Sequence, residues 1–201
     1  MGQMKIYLSI DLDFWNQGSH SYPHMKRFLR EAISYVPRKR LFVVDSHEKL
    51  ISSVNRSGCD TLINIDWHSD LSNRLDPSFK DNPEYNKVNC GSWASFIKWR
   101  KDGIYTWIHP YEVRWRSERG YCHAPLRPEN NPFLHPQLSG WMFAHQKRNK
   151  HPEKIIPWSF VHSVGIAFSY YWLSDTYGNL TRVASKVIGF KPLEEKNPKI
   201  S

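Results

Sequence analysis

The chain has 201 residues, which suits one domain better than two, since domains run at roughly 100–200 residues. A hydrophobic share of 40% and a charged share of 23% exclude a disordered or fibrous chain, and three widely spaced cysteines, Cys59, Cys90 and Cys122, with no CxxC pair, exclude a disulfide framework or a zinc ribbon. The formal charge of +9 is spread over Lys26-Arg27-Arg30, Arg38-Lys39-Arg40, Arg114-Arg116-Arg119 and Lys147-Arg148-Lys150 without any nucleic-acid motif, so a basic solvated surface is expected and nucleic acid is not, while an acidic peptide partner stays open.

The opening MGQMKIYLSID carries an aspartate where a signal peptide needs its apolar centre. No apolar run approaches the ~20 residues that span a bilayer. A cytoplasmic, membrane-free protein is expected, with its oligomeric state open. Residues 5–10 read as a strand ending in acids. Residues 22–36, with Met25, Phe28, Leu29 and Ile33 at helical spacing, read as an amphipathic helix stopped by Pro37. Residues 41–44 form a second strand, 48–57 a helix closed by Gly58, and 61–65 a third strand. A helix is expected over 92–101, ended by Asp102-Gly103, and another strand over 104–108. From 115 to 157 the pattern dissolves into Pro, His, Arg and Asn, expected to be an irregular loop or lid. A buried strand over 160–169 and a closing helix over 176–186 follow, and 190–201 reads as an exposed tail. Strand–helix alternation with short connections predicts an α/β fold on a mainly parallel sheet.

Three successive strands end in ligand-type residues: Asp11-Leu12-Asp13, Asp45-Ser46-His47-Glu48, and Asp66-Trp67-His68-Ser69-Asp70 within INIDWHSD. In a parallel sheet these tips gather at one edge, where open α/β folds bind ligands. Side chains two apart share a face while the chain stays extended, so Asp11 with Asp13, and Asp66 with His68 and Asp70, are expected to project into one pocket beside His47. Four carboxylates a few ångströms apart repel unless neutralised. Two divalent cations balance them, and an oxygen-rich set with minority imidazole suits Mn²⁺ better than Zn²⁺. Such a pair activates water near neutral pH, so the pattern predicts a hydrolase. Each motif alone has a plainer reading: DxD as a helix cap, His47 as a packing residue. Only their coincidence points to metal.

Strand-end DxHxD with a separate Ser9-Ile10-Asp11-Leu12-Asp13 and one further His resembles the ureohydrolases, arginase, agmatinase and their relatives. The order here is permuted, because S-x-D-x-D comes first. That order, the short length, DSHEKL, NIDWHSDL and NCGSW make the chain similar to a small arginase-like family whose bacterial members include peptide arginases; the likeness covers roughly 4–110. The resemblance implies a three-layer α/β/α arginase/deacetylase-like fold. It implies two manganese ions bridged by Asp66 and Asp11, with His47 and Asp70 completing one site and His68 and Asp13 the other. Asp70 would also accept a hydrogen bond from the bridging hydroxide. It further implies conversion of arginine in a ribosomally made precursor peptide to ornithine, with release of urea. Where arginases carry a His-Gly pair this chain has Asn89-Cys90-Gly91-Ser92. For the guanidinium-gripping acid, Glu48, Asp45 and Glu112 are candidates, with Glu48 taken beside Asp70 as a catalytic residue. Trp107, Trp115, Trp141, Trp158 and Trp172 are expected either to line a peptide groove or to pack the core. The rival readings are a ureohydrolase acting on free arginine or agmatine, a single-metal amidase, a phosphatase using Asp11 as nucleophile, and a metal-free peptide-binding module.

Overall fold

The computed structural model describes residues 3–15, 22–68, 70, 88, 91–98, 103–109, 142–149, 151–169 and 178–190. The strands are β1 (Ile6–Asp11), β2 (Leu41–Val44), β3 (Thr61–Ile65), β4 (Gly103–His109), β5 (Met142–Arg148) and β6 (Val161–Ala167), and the helices are α1 (Tyr22–Ser34), α2 (Ile51–Ser57) and α3 (Gly178–Ile188). The six strands form one sheet in the order β2-β6-β1-β3-β4-β5, and every pairing is parallel. The α/β class expected from the alternation of elements is the class observed.

Alternation along the central strands gives the sheet a core on each face. Ile6, Leu8 and Ile10 of β1, Ile63 and Ile65 of β3, and Val164 and Ile166 of β6 join one cluster with Met25, Phe28 and Leu29 of α1 and Leu180, Ala184 and Ile188 of α3. Those helix positions recur at three- and four-residue steps, so each helix shows the sheet one apolar stripe. The interleaved positions Tyr7, Leu62, Tyr105 and Trp107 join the opposite cluster with Leu50, Val54, Trp93 and Ala94. Full burial of such side chains stabilises by roughly 1.5–3 kcal/mol each.

Several elements differ from the sequence-based expectation. The helix expected over 48–57 is split into a 3-10 turn, His47–Leu50, and α2, which ends at Gly58 in the left-handed region at φ 70°. Of the helix expected over 92–101, the described residues 92–98 form only a 3-10 turn, Trp93–Phe96, followed by extended Ile97. The Lys98 amide, which a longer helix would use internally, donates instead to Asn55 Oδ1 at 2.8 Å. Within the region expected to be irregular, Met142–Arg148 is a strand pairing with β4 as a sheet edge; its polar sequence carries little apolar alternation to announce it. Trp107 is a fully buried core residue whose Nε1 donates to the Asp66 carbonyl at 3.1 Å. Trp158 stacks on Tyr35 and packs on Phe28. Trp107 thus follows the core-packing alternative, and Trp115, Trp141, Trp172, Cys122, Glu112 and most of the tail lie outside the described residues. Among the described residues, no helix is long and apolar enough to cross a membrane.

Candidate metal centre

The register of the sheet sets the site. Ser9 pairs with Asn64 across β1 and β3, two residues before Asp11 and Asp66 and so on the same face, and Ser9 lies opposite Gly165 and Asp11 opposite Ala167 on β6. The polar side chains therefore stand on the Tyr7/Leu62 face, above a β6 that carries only small residues there. Gly165 has no room for a side chain: an added Cβ would lie 2.6 Å from Tyr7 Oη and 2.8 Å from Leu50 Cδ1. That close approach lets the His47–Leu50 turn sit down on the sheet and bring His47 over the two aspartates.

His47 is wholly buried, and Asp11, Asp13, Asp66 and Asp70 are nearly so. The His47 Nδ1 lies 3.2 Å from Asp11 Oδ2, 3.1 Å from Asp66 Oδ2 and 3.0 Å from Asp70 Oδ2. None of these oxygens is aligned as a hydrogen-bond acceptor, so Nδ1 has no hydrogen-bond partner among the described residues. Its other nitrogen, Nε2, is 2.7 Å from Ser9 Oγ. With the Nε2 proton donated to Ser9, Nδ1 points among three carboxylate oxygens, so either a proton or a metal cation has to sit there to offset their repulsion.

A second group adjoins the first. His68 Nδ1 is 3.1 Å from Asp13 Oδ2 and 3.7 Å from Asp66 Oδ1. The ligand atoms thus form two sets, Asp11/His47/Asp66 and Asp13/Asp66/His68, each within 4.8 Å. Asp66 belongs to both, one oxygen toward each imidazole. Asp11 stands in the first set alone, its Oδ1 accepting the Asp13 amide at 3.0 Å. These buried clusters are able to hold metal ions.

The convergence does not come from an extended chain, as the two-residue spacing suggested. After Asp11 the backbone enters the 3-10 turn Leu12–Trp15. After Ile65 it bends, the Asp66 carboxylate accepting the His68 amide at 2.7 Å. In each motif the first carboxylate caps the amide two residues on, an Asx-type turn, and Asp13 accepts the Trp67 amide at 3.2 Å to tie the two together. Asp70 then takes a left-handed backbone at φ 55°, a conformation aspartate tolerates better than most residues.

Residues not singled out from the sequence hold these carboxylates. Trp93 Nε1 donates to Asp70 Oδ2 at 2.5 Å, and its ring lies against His47 with centroids 4.6 Å apart. Asn64 Nδ2 faces Asp66 Oδ2 at 3.3 Å, Asp70 Oδ2 at 3.4 Å and Tyr105 Oη at 3.3 Å. Ser169 Oγ donates to Asp11 Oδ2 at 2.5 Å. Asn64 had a signal, since it extends the alternation to Asn64-x-Asp66-x-His68-x-Asp70. Trp93 stood within the NCGSW motif, but nothing there pointed to Asp70, 23 residues away; Ser169, 158 residues from Asp11, had no signal. Glu48 is half-buried and hydrogen-bonded to Ser46 Oγ, and it belongs to neither ligand set. Asp45 is paired with Lys49 Nζ at 2.6 Å. Asn89 and Cys90 lie outside the described residues.

Burial and mutual repulsion dominate the electrostatics. Burial, then the Asp11 and Asp66 charges, push Asp13 well above the usual carboxylate range. Burial and Asp66 do the same to Asp70. Burial would also raise Asp66, but His47 and His68 outweigh it and hold Asp66 well below that range. Burial would lower both imidazoles, yet the Asp11, Asp66 and Asp70 carboxylates lift His47 well above its ordinary value, and Asp13 and Asp66 lift His68 to about 11. Protons thus do the neutralising when no cation is present.

A third group, His24, His151 and Glu153, does not fit a metal. Trp15 Nε1 donates to His24 Nδ1 at 3.2 Å, so the neutral ring carries its proton on Nε2, which meets Glu153 Oε2 at 3.0 Å. That tautomer has no Nε2 lone pair to offer. These side chains instead pin the turn Pro152–Lys154 to α1. Comparison with protein-family models, with curated proteins and with solved structures finds no match to the chain, so the site rests on its own geometry.

Proposed function

We propose that the chain is a binuclear manganese hydrolase that converts arginine side chains of a ribosomally made precursor peptide to ornithine, releasing urea. In this reading the two cores are the interfaces of a three-layer, arginase/deacetylase-like fold. The observation that carries the metal part is His47 Nδ1, buried among three carboxylate oxygens at 3.0–3.2 Å with no hydrogen bond among the described residues, next to a second set that shares Asp66. The guanidino specificity is supported by the resemblance of Asp66-x-His68-x-Asp70, Ser9-x-Asp11-x-Asp13 and His47 to the ureohydrolases.

A pair of divalent cations, Mn²⁺ by the oxygen-rich donor set, would supply a water-derived nucleophile near neutral pH. Asp11, His47, Asp66 and Asp70 would hold one, and Asp13, Asp66 and His68 the other. Asp70, gripped by Trp93 and Asn64, would accept a hydrogen bond from the attacking water. The buried carboxylates would stabilise the cationic guanidinium. Its carbon gains the water oxygen and loses the side-chain nitrogen, which departs as the ornithine amine once protonated. His68, 29% exposed at its side chain, marks the side from which an arginine would enter. Glu48 suits a guanidinium contact better than Asp45, which Lys49 already neutralises. A phosphatase nucleophile fits poorly, because both Asp11 oxygens are engaged, by the Asp13 amide and by Ser169.

Purified protein loaded with Mn²⁺ and given an arginine-containing peptide should shift the peptide mass by one urea less one water for each converted residue. Conversion of free arginine with the peptide untouched would move the substrate to a small molecule. No conversion of either by metal-loaded protein would leave a binding module.

A further inference from the structure

Ser169 lies two residues beyond β6, is 2% exposed, and holds a left-handed backbone at φ 46°. A side-chain-bearing residue rarely adopts that conformation without a compensating contact. Two contacts keep it there. Its amide donates to the Asp45 carbonyl at 2.9 Å, continuing the Phe168 amide's bond to the Val44 carbonyl at 3.0 Å. Its hydroxyl donates to Asp11 Oδ2 at 2.5 Å, the same oxygen that faces His47 Nδ1 at 3.2 Å. With Asp11 Oδ1 held by the Asp13 amide, the Asp11 carboxylate is fixed at both ends. We propose that Ser169 is a positioning residue, kept in a strained backbone so that its hydroxyl aims Asp11 Oδ2 at the cation position beside His47. The proposal rests on the two-cation reading and adds to it an asymmetry: Ser169 touches the Asp11/His47/Asp66 set and not the Asp13/Asp66/His68 set.

The strain makes the idea separable from a general packing role. In Ser169→Gly the left-handed backbone becomes easy while the hydroxyl is lost. In Ser169→Ala the hydroxyl is lost and the strain stays. Relative to Ser169→Ala, Ser169→Gly should therefore be the more stable while binding metal no better. The experiment uses the full chain with Mn²⁺ as probe, measuring melting in EDTA and binding by titration calorimetry. Metal-free Ser169→Gly should melt roughly 2–4 °C above Ser169→Ala. Both variants should bind one Mn²⁺ about 10–100-fold more weakly, the range typical for losing a partner of a metal ligand, and the other nearly as the parent does.

A parent that takes up two Mn²⁺ while both variants bind both ions unchanged overturns the positioning role and leaves the two-cation reading intact. Equal weakening of both ions, or equal melting of the Gly and Ala variants, also overturns it. A parent that binds no Mn²⁺ overturns the two-cation reading, and this inference with it.

Discussion

Gly165→Ala tests how the fold delivers His47. The new Cβ would stand 2.6 Å from Tyr7 Oη and 2.8 and 2.9 Å from the two Leu50 methyls, distances that real Cβ atoms do not tolerate. Neither neighbour yields cheaply. Tyr7 Oη is bonded to Ser53 Oγ at 2.5 Å, and both side chains are wholly buried. Relief requires tilting Tyr7 off Ser53 or lifting the His47–Leu50 turn from the sheet. Overpacking of this kind destabilises by about 1–3 kcal/mol, or roughly 2–12 °C of melting temperature at this chain length. Thermal melting in EDTA reads the stability part. Mn²⁺ titration reads the displacement of His47, which sits three residues before Leu50 on the same turn. A variant that melts within a degree of the parent and binds Mn²⁺ equally well would refute the claim that this glycine seats the turn.

Three further outcomes are expected. Asp66→Asn, which alters the carboxylate common to both sets, should abolish binding of both cations, whereas Asp13→Asn should leave about one per chain, as metal analysis after gel filtration will show. Mn²⁺ affinity should rise with pH: His47 and His68 are raised by their carboxylates, His68 to about 11, so both imidazoles carry protons at neutral pH that a cation has to displace. Titration in two buffers of different ionisation enthalpy should report net proton release on Mn²⁺ binding, since Asp13 and Asp70 are raised as well; uptake or no exchange would contradict it. Trp93→Phe keeps the ring against His47 but removes the donor to Asp70 Oδ2, and should cost about 1–3 kcal/mol, the penalty for losing the partner of a buried polar group, read as a lower melting temperature.

The parts of the molecule governed by local pattern were readable in the sequence, and the parts governed by distant contact were not. β1, β3, β6 and α1 carry dense apolar periodicity, and their expected spans differ from the observed ones mainly at the ends. β5 was missed because an edge strand needs no continuous apolar face. The 92–101 helix failed because Asn55, a residue of α2, takes the amide that would have extended it. For the site, residue types and spacing singled out Asp11, Asp13, His47, Asp66, His68 and Asp70, and the structure brings all six together. The geometry by which they meet, Asx-type turns in place of an extended edge, was not legible in a two-residue repeat. Nor was Ser169, nor the hold of Trp93 (the last residue of NCGSW) on Asp70, since both contacts exist only once β6 and the 93–96 turn are folded against the sheet.

The central claim is that these six side chains converge on two cations. Diffraction at the manganese absorption edge from crystals grown with Mn²⁺ tests it most directly. Two anomalous peaks about 3.5–4 Å apart, one touching Asp11, His47 and Asp66 and the other Asp13, Asp66 and His68, are predicted. A map without manganese at these residues, or with His47 turned away from the carboxylates, would contradict it.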